Sequence, residues 1–367
     1  MTKVSYVYVY CLSIMMLMLI GLGLANLYSA GADSGVFATQ LRSLLVGMLA
    51  FVIFAWFIPL RLVNNYAYPA CFAISLSLVL VLMLGQSGGG AQRWLGVGSL
   101  RFQPSEFAKL TVVFGVAKFF YLQRSLPLFT LSHLRPVLLF ALGTFVLIFK
   151  QPDFGTAGVC LLIAFAQLAF VRIRIGWKLI TAILVLLVGT AVVGWEFFLH
   201  DYQKLRVLNL LDPSLDPSGS SYNILQSLVA VGSGKQFGKG FLQGTQTQLQ
   251  FLPARHTDFI FSVFAEEHGF WVCCLVFVLF GGIALIALEI AREARDVFSS
   301  LVAIGIGAFL FIEFTINAAM ILGIFPVVGM PMPFFSFGGT ALLTSCVALG
   351  ILAAISRESA KGQRKRN

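Results

Sequence analysis

The chain has little charge. Of 367 residues only 11% are Asp, Glu, Lys or Arg, against 59% hydrophobic, whereas soluble domains carry roughly a quarter charged residues. That scarcity excludes a water-soluble fold. Histidine is rarer still, with four in the chain. The six cysteines, Cys11, Cys71, Cys160, Cys273, Cys274 and Cys346, lie in apolar runs without C-x-x-C or Cys/His metal spacing, and they read as small core residues. No 20–50-residue repeat is present, no soluble second domain, and no G-x-x-x-x-G-K-[ST] pattern that would support a nucleotide P-loop. Acidic residues are the minority sign, 15 against 25 Lys and Arg, for a net charge of +10. In a soluble protein that balance would suggest nucleic acid. Here the basic residues sit mostly in short loops and the C-terminal tail, which membrane topology explains better.

What the chain has in abundance is apolar length. A membrane span needs roughly 20 mostly apolar residues, and such runs occur near 6–27, 42–58, 67–84, 105–121, 137–149, 156–171, 177–196, 260–290, 298–322 and 339–355. The first is too long for a signal-peptide core and is not followed by a convincing cleavage site. Residues 1–367 therefore read as a single all-α, polytopic domain of about ten spans. Placing the N-terminus inside puts 15 of the 25 basic residues, among them Lys3, Arg61, Arg124, Arg172, Arg292, Arg295 and Arg357, in short cytoplasmic segments. Many of the remaining ten fall in one long external loop, which the positive-inside rule largely exempts. Both termini are then cytoplasmic, and the loop of about sixty residues between spans seven and eight, 197–258, is external.

Four external segments carry the chemistry. In the first, Arg93-Trp94-Leu95-Gly96 precedes Gln103-Pro104-Ser105-Glu106-Phe107-Ala108-Lys109. Pro104 suits a first helical turn, and Glu106 and Lys109, at i and i+3, share a face. Such a pair either fixes helix packing or faces a cavity. In the second, Lys150-Gln151-Pro152-Asp153-Phe154-Gly155, Asp153 is placed to cap the sixth helix. In the third, His256-Thr257-Asp258-Phe259-Ile260-Phe261 ends the long loop. Asp258 is either an N-cap or a partly desolvated base, Ser262 shares its face one turn on, and Glu266 and Glu267 could close a salt-bridge network. The fourth, Pro326 to Gly339, holds three prolines between two spans and cannot continue a helix. Glu313 and Asn317, i and i+4 in the ninth span, are polar groups at depth and should face the bundle interior.

These four segments, in this order, resemble the SEDS family (shape, elongation, division and sporulation proteins) over nearly the whole chain. The run Gly244-Thr245-Gln246-Thr247-Gln248-Leu249-Gln250-Phe251-Leu252-Pro253 followed by His256-Thr257-Asp258 is most similar to its elongation (RodA) branch rather than its division (FtsW) branch. One departure is Phe337, where the family commonly carries Tyr. The resemblance implies a peptidoglycan glycosyltransferase of the cytoplasmic (inner) membrane. It would polymerise lipid II onto a lipid-linked glycan strand by inversion, with undecaprenyl pyrophosphate leaving and Asp258 as the essential aspartate. It also implies a class B penicillin-binding protein as partner within the elongation machinery. Arg93, Glu106, Lys109, Asp153, Lys239, His256, Thr257 and Ser336 are expected to contact substrate. Arg93, Lys109 and Lys150 or Lys239 would hold pyrophosphate, while Glu106 and Asp153 would orient those cations or bind a divalent ion, Mg or Mn. Two other readings compete: a lipid II flippase, and a non-catalytic scaffold for the penicillin-binding protein. A carrier should keep its charges at mid-membrane, whereas these lie mainly at the external end, with Glu313 the exception.

Overall fold

The structure, a computed structural model, describes residues 2–31, 35–88, 91–97, 100–126, 128–173, 220–249, 251–252 and 254–364, with Lys204 and Leu208 as isolated positions. Its helices are α1 (Thr2–Gly31), α2 (Val36–Val52), α3 (Leu60–Leu84), α4 (Pro104–Leu122), α5 (Leu131–Phe149), α6 (Phe154–Ala169), α7 (Ser220–Gly234), α8 (Thr245–Gln248), α9 (Ile260–Glu293), α10 (Val297–Ile321) and α11 (Gly339–Arg364). Seven of the described helices are long and apolar enough to cross a membrane: α1, α2 with the π-helical turn Ile53–Phe57, α3, α5, α9, α10 and α11. The expected spans at 105–121 and 156–171 are also helical, as α4 and α6; α6 is short, and α4 carries Glu106, Lys109 and Lys118. The expected span at 177–196, and much of the long loop after it, lie outside the described residues.

The solvent these helices are built for is read from their outward faces. Phe57, Phe72, Met83 and Leu84 are each more than 70% exposed. A helix that stays apolar on its outer face has hydrocarbon as its solvent, so this is a multi-pass membrane protein. α10 and α11 form the centre, with 72% and 83% of their spanning windows buried, while α2 and α3 lie outside at 17% and 22%. α4 packs against α3, α6 and α10, and α1 packs against α9 and α11. All the charges α4 places in its first two turns face this interior.

The all-α expectation needs one correction. The glycine-rich stretch after α3 forms a small antiparallel meander, β1 (Gln86–Gly88), β2 (Ala91–Val97) and β3 (Leu100–Phe102). A glycine-rich run too polar for the bilayer favours antiparallel strands over a helix here, and β2 brings Arg93 onto Pro152 and Asp153.

α9 is interrupted at Gly269, whose φ of 75° is open to glycine and costly for other residues. The segment 235–240 fills the break: Phe270 N–H donates to Lys235 O at 3.0 Å, and Lys239 and Gly240 N–H donate to the Glu266 and Glu267 carbonyls, each at 3.0 Å. Backbones approach this closely because Gly234 and Gly238 carry no Cβ. At the other end of the bundle the π turn frees the Trp56 carbonyl, which accepts from Arg357 Nη1 at 2.8 Å, and Glu358 accepts from Leu60 N–H at 3.1 Å. Residues expected on one side of the membrane thus meet one another.

Candidate active site

The segment that ends the long loop is held by its carbonyls. His256 O accepts from Phe337 N–H at 2.9 Å, Thr257 O from Ser336 Oγ at 2.7 Å, Asp258 O from Asn317 Nδ2 at 3.0 Å, and Ile260 O from Asn26 Nδ2 at 2.8 Å. Four hydrogen bonds to carbonyls within residues 256–260 come from α1, α10 and the 323–338 loop, so half-buried Asp258 is presented from a fixed backbone. Asp258 is not the N-cap of α9. Phe259 occupies that position and no side chain caps the helix, which removes the structural role proposed for the carboxylate. Ser262, on the same face, bonds instead to Ser227 Oγ of α7 at 2.8 Å.

The Pro/Gly-rich loop is the hub. Asn317 Nδ2 also donates to Met330 O at 2.8 Å, and Ser336 Oγ accepts from Met332 N–H at 2.7 Å. Gly329, at φ 69°, would bring a Cβ to 3.5 Å from Asp258 Oδ2, so the loop backbone lies beside the carboxylate. The next residue, Met330, packs on Gly155 in the first turn of α6, where a Cβ would overlap its thioether. Phe334 takes φ 65°, a left-handed conformation that costs a bulky residue about 1–3 kcal/mol; its side chain is buried and its backbone lies against Gly23 of α1. Ser336 is 4% exposed; its hydroxyl accepts from Met332 N–H within the loop and donates to Thr257 O outside it, so it ties the loop to the Asp258 segment.

Asp153 begins α6 beside that contact. It caps the helix by accepting from Thr156 N–H at 3.5 Å, accepts from Ser105 Oγ at 3.3 Å, and lies 3.7 Å from Arg93 Nη1. Arg93 also donates to the Pro152 carbonyl and keeps 23% of its side chain exposed. Asp153 thus both caps α6 and pairs with Arg93.

One turn below, Lys109 is fully buried. It pairs with Glu106 at 2.8 Å and with Glu313 of α10. Sequence spacing exposed the Glu106–Lys109 pair; the second carboxylate, from 204 residues away, could be found only as a polar group at depth. One ammonium between two carboxylates locks α4 to α10, and Glu313 is one turn from Asn317, which holds Asp258. Lys239 stands in a different cluster. Its ammonium is 2.6 Å from Glu266 Oε1 and 2.7 Å from Thr245 Oγ1. The Glu266 network anticipated from sequence exists, and Lys239 is its cation, not a partner of Arg93. Glu267, next along, accepts from Ser29 Oγ of α1.

His256 has its pKa lowered, first by partial burial and then by the Arg255 charge, and its Nδ1 is buried without a hydrogen bond among the described residues. A depressed folded pKa makes the unfolded chain bind more protons as pH falls through the free histidine value of about 6.5. Stability should therefore fall in that window and be unaffected by this group above it. Thermal unfolding from pH 8 to 5 should show a smaller drop for His256→Gln; equal slopes would refute the shift.

A divalent ion does not fit the two carboxylates proposed for it. Glu106 shares the Lys109 ammonium with Glu313, and Asp153 is paired with Arg93 and caps α6, so both carboxylates already have partners.

The geometry has counterparts among known proteins. The FtsW/RodA/SpoVE family model, described as a cell cycle protein, matches residues 2–361. Peptidoglycan glycosyltransferase MrdB of Escherichia coli (strain K12) is 38% identical over 328 residues, covering 89% of this chain and 87% of that protein. Stage V sporulation protein E of Bacillus subtilis (strain 168) is 34% identical over 354 residues, covering 92% and 94%. A solved chain from a peptidoglycan synthase complex that coordinates polymerization and crosslinking superposes with a TM-score of 0.80 at 29% identity, over 95% of this chain and 98% of that one. The crystal structure of the rod shape determining protein RodA of Thermus thermophilus gives 0.69 at 28%, over 95% and 96%. This chain belongs to the FtsW/RodA/SpoVE family, the SEDS proteins.

Proposed function

We propose that the chain is a peptidoglycan glycosyltransferase that polymerises lipid II at the external face of the cytoplasmic membrane. In the reaction the acceptor sugar's 4-hydroxyl oxygen attacks the donor's anomeric carbon. The bond from that carbon to the pyrophosphate oxygen breaks with inversion, and lipid pyrophosphate leaves with the electron pair. Asp258 takes the hydroxyl proton, and Arg93 meets the departing pyrophosphate. Lys109, neutralised in its triad, acts by fixing α10 and so Asn317, and Thr257 and His256 flank the acceptor. The observation that carries this reading is the clamping of the Asp258 backbone by Asn317 and Ser336, which leaves its carboxylate beside an irregular loop and not in a cap.

The full topology is ten spans with both termini cytoplasmic and 197–258 external, working beside a class B penicillin-binding protein that crosslinks the new strand. In spheroplasts, Ser87→Cys should react with a membrane-impermeant maleimide and Arg295→Cys only after permeabilisation; the reverse pattern would invert the orientation. The activity itself is tested with purified chain and lipid II in detergent micelles, which have no second leaflet. Glycan polymer should form. Translocation of lipid II in vesicles with no polymer in micelles would make the chain a flippase.

A further inference from the structure

The site so far described lies at one end of α4, α6 and α10. At the opposite ends of the same helices, and of α9, is a cavity of about 510 Å³. Its rim carries Arg124, Arg172, Arg292 and Arg295 against one carboxylate, Asp296, so the lining charge is 4 − 1 = +3. Asp296 is already occupied, capping α10 by accepting from Ser299 N–H at 2.9 Å and Ser299 Oγ at 3.2 Å. Arg292 pairs with Glu289 at 2.7 Å, and Arg124 stacks on Tyr121 at 4.8 Å. Arg172 and Arg295 have no acidic partner among the described residues. Below this rim the walls are apolar: Phe120, Phe170, Leu301 and Ile304, all from the ends of membrane helices or the residue beside them.

A cationic rim above an apolar wall, at the level where spans end, fits a molecule with an anionic head and a hydrocarbon tail. The one neutral hydroxyl in the lining, Ser300 Oγ, is turned inward to the Ala291 carbonyl at 2.9 Å, so the cavity has little with which to read a sugar or a base. We propose that it binds an anionic glycerophospholipid of the cytoplasmic leaflet, with phosphate oxygens on Arg172 and Arg295 and an acyl chain along Leu301 and Ile304. The leaflet rests on the orientation proposed above; the cavity and its chemistry do not. A lipid here ties together the ends of α4, α6 and α10, the helices whose other ends carry Lys109, Asp153, Glu313 and Asn317.

The test uses delipidated full chain in neutral detergent, titrated with phosphatidylglycerol or with phosphatidylcholine of the same acyl chains and read by native mass spectrometry. Wild type should retain phosphatidylglycerol preferentially, and R172Q/R295Q should weaken that retention about 30-fold. The charge-matched tail variant K365Q/R366Q should keep it. R172K/R295K, which preserves the charges, should also keep most of it, and decides the matter if the glutamine pair does not fold. Equal retention by wild type and R172Q/R295Q, loss in the lysine pair, equal loss in the tail variant, or no preference over phosphatidylcholine would each overturn the site. Full displacement of the lipid by equimolar inorganic phosphate would reassign it to a free anion. Micelles have no sides, so failure there overturns the cavity alone, and external labelling of Arg295→Cys overturns the leaflet alone.

Discussion

Lys109→Met should leave little folded protein. Removing the ammonium strands Glu106 and Glu313 against each other in an interior where both side chains are under 5% exposed, and breaking a buried ion pair from one side costs about 3–5 kcal/mol. That is a large part of the stability of an ordinary domain. Replacing the whole set is a different matter, because neutral side chains of similar volume carry no unpaired charge. Glu106→Gln/Lys109→Met/Glu313→Gln should therefore recover most of the lost stability. Thermal unfolding in detergent, followed by tryptophan fluorescence, compares the three proteins. A Lys109→Met chain as stable as wild type would show that the triad does not hold α4 to α10. The triple variant should still be a weak enzyme, since the triad also sets the height of Asn317 beneath Asp258.

Asp258→Ala should act in the opposite way, removing turnover and leaving the fold. Asp258 is half-buried and is not the N-cap residue of α9, a position that Phe259 holds, while the backbone on either side is held by Asn317, Ser336 and Phe337. Its loss therefore empties no core position and breaks no helix start. General base catalysis contributes typically about 10²–10⁴-fold, and polymerisation should fall by that order at an unchanged unfolding temperature. Asp258→Asn separates two roles, because the amide keeps the shape and one acceptor oxygen but cannot take the proton. Asn as inactive as Ala supports a base; Asn near wild type would reduce Asp258 to a hydrogen-bonding group.

The parts legible in the sequence were those that obey a local rule. Helix periodicity does not help in a chain this apolar, but span length does, and the described α1 to α6 and α9 to α11 fall where apolar runs predict them. The i, i+3 spacing exposed Glu106 with Lys109, and the position of Asp153 before an apolar run exposed its cap. What stayed hidden depends on contacts between distant segments. Nothing local ties Glu313 to Lys109, or Ser336 to Thr257. Lys239 is a candidate pyrophosphate contact by sequence, and only the break at Gly269, which sets the 235–240 segment against α9, places its ammonium on Glu266. The β meander was missed because glycine-rich sequence between spans reads as loop, and its strands are only 3, 7 and 3 residues long.

Family membership predicts glycan synthesis, and the local geometry nominates one carboxylate for the proton transfer. The most direct test of that claim is the rate of glycan polymer formation from purified lipid II by wild type and Asp258→Ala, prepared with matched unfolding temperatures and supplied with the same penicillin-binding partner. Polymer should accumulate with wild type and fall at least about 100-fold with the variant. Equal rates from two equally folded proteins would contradict the account.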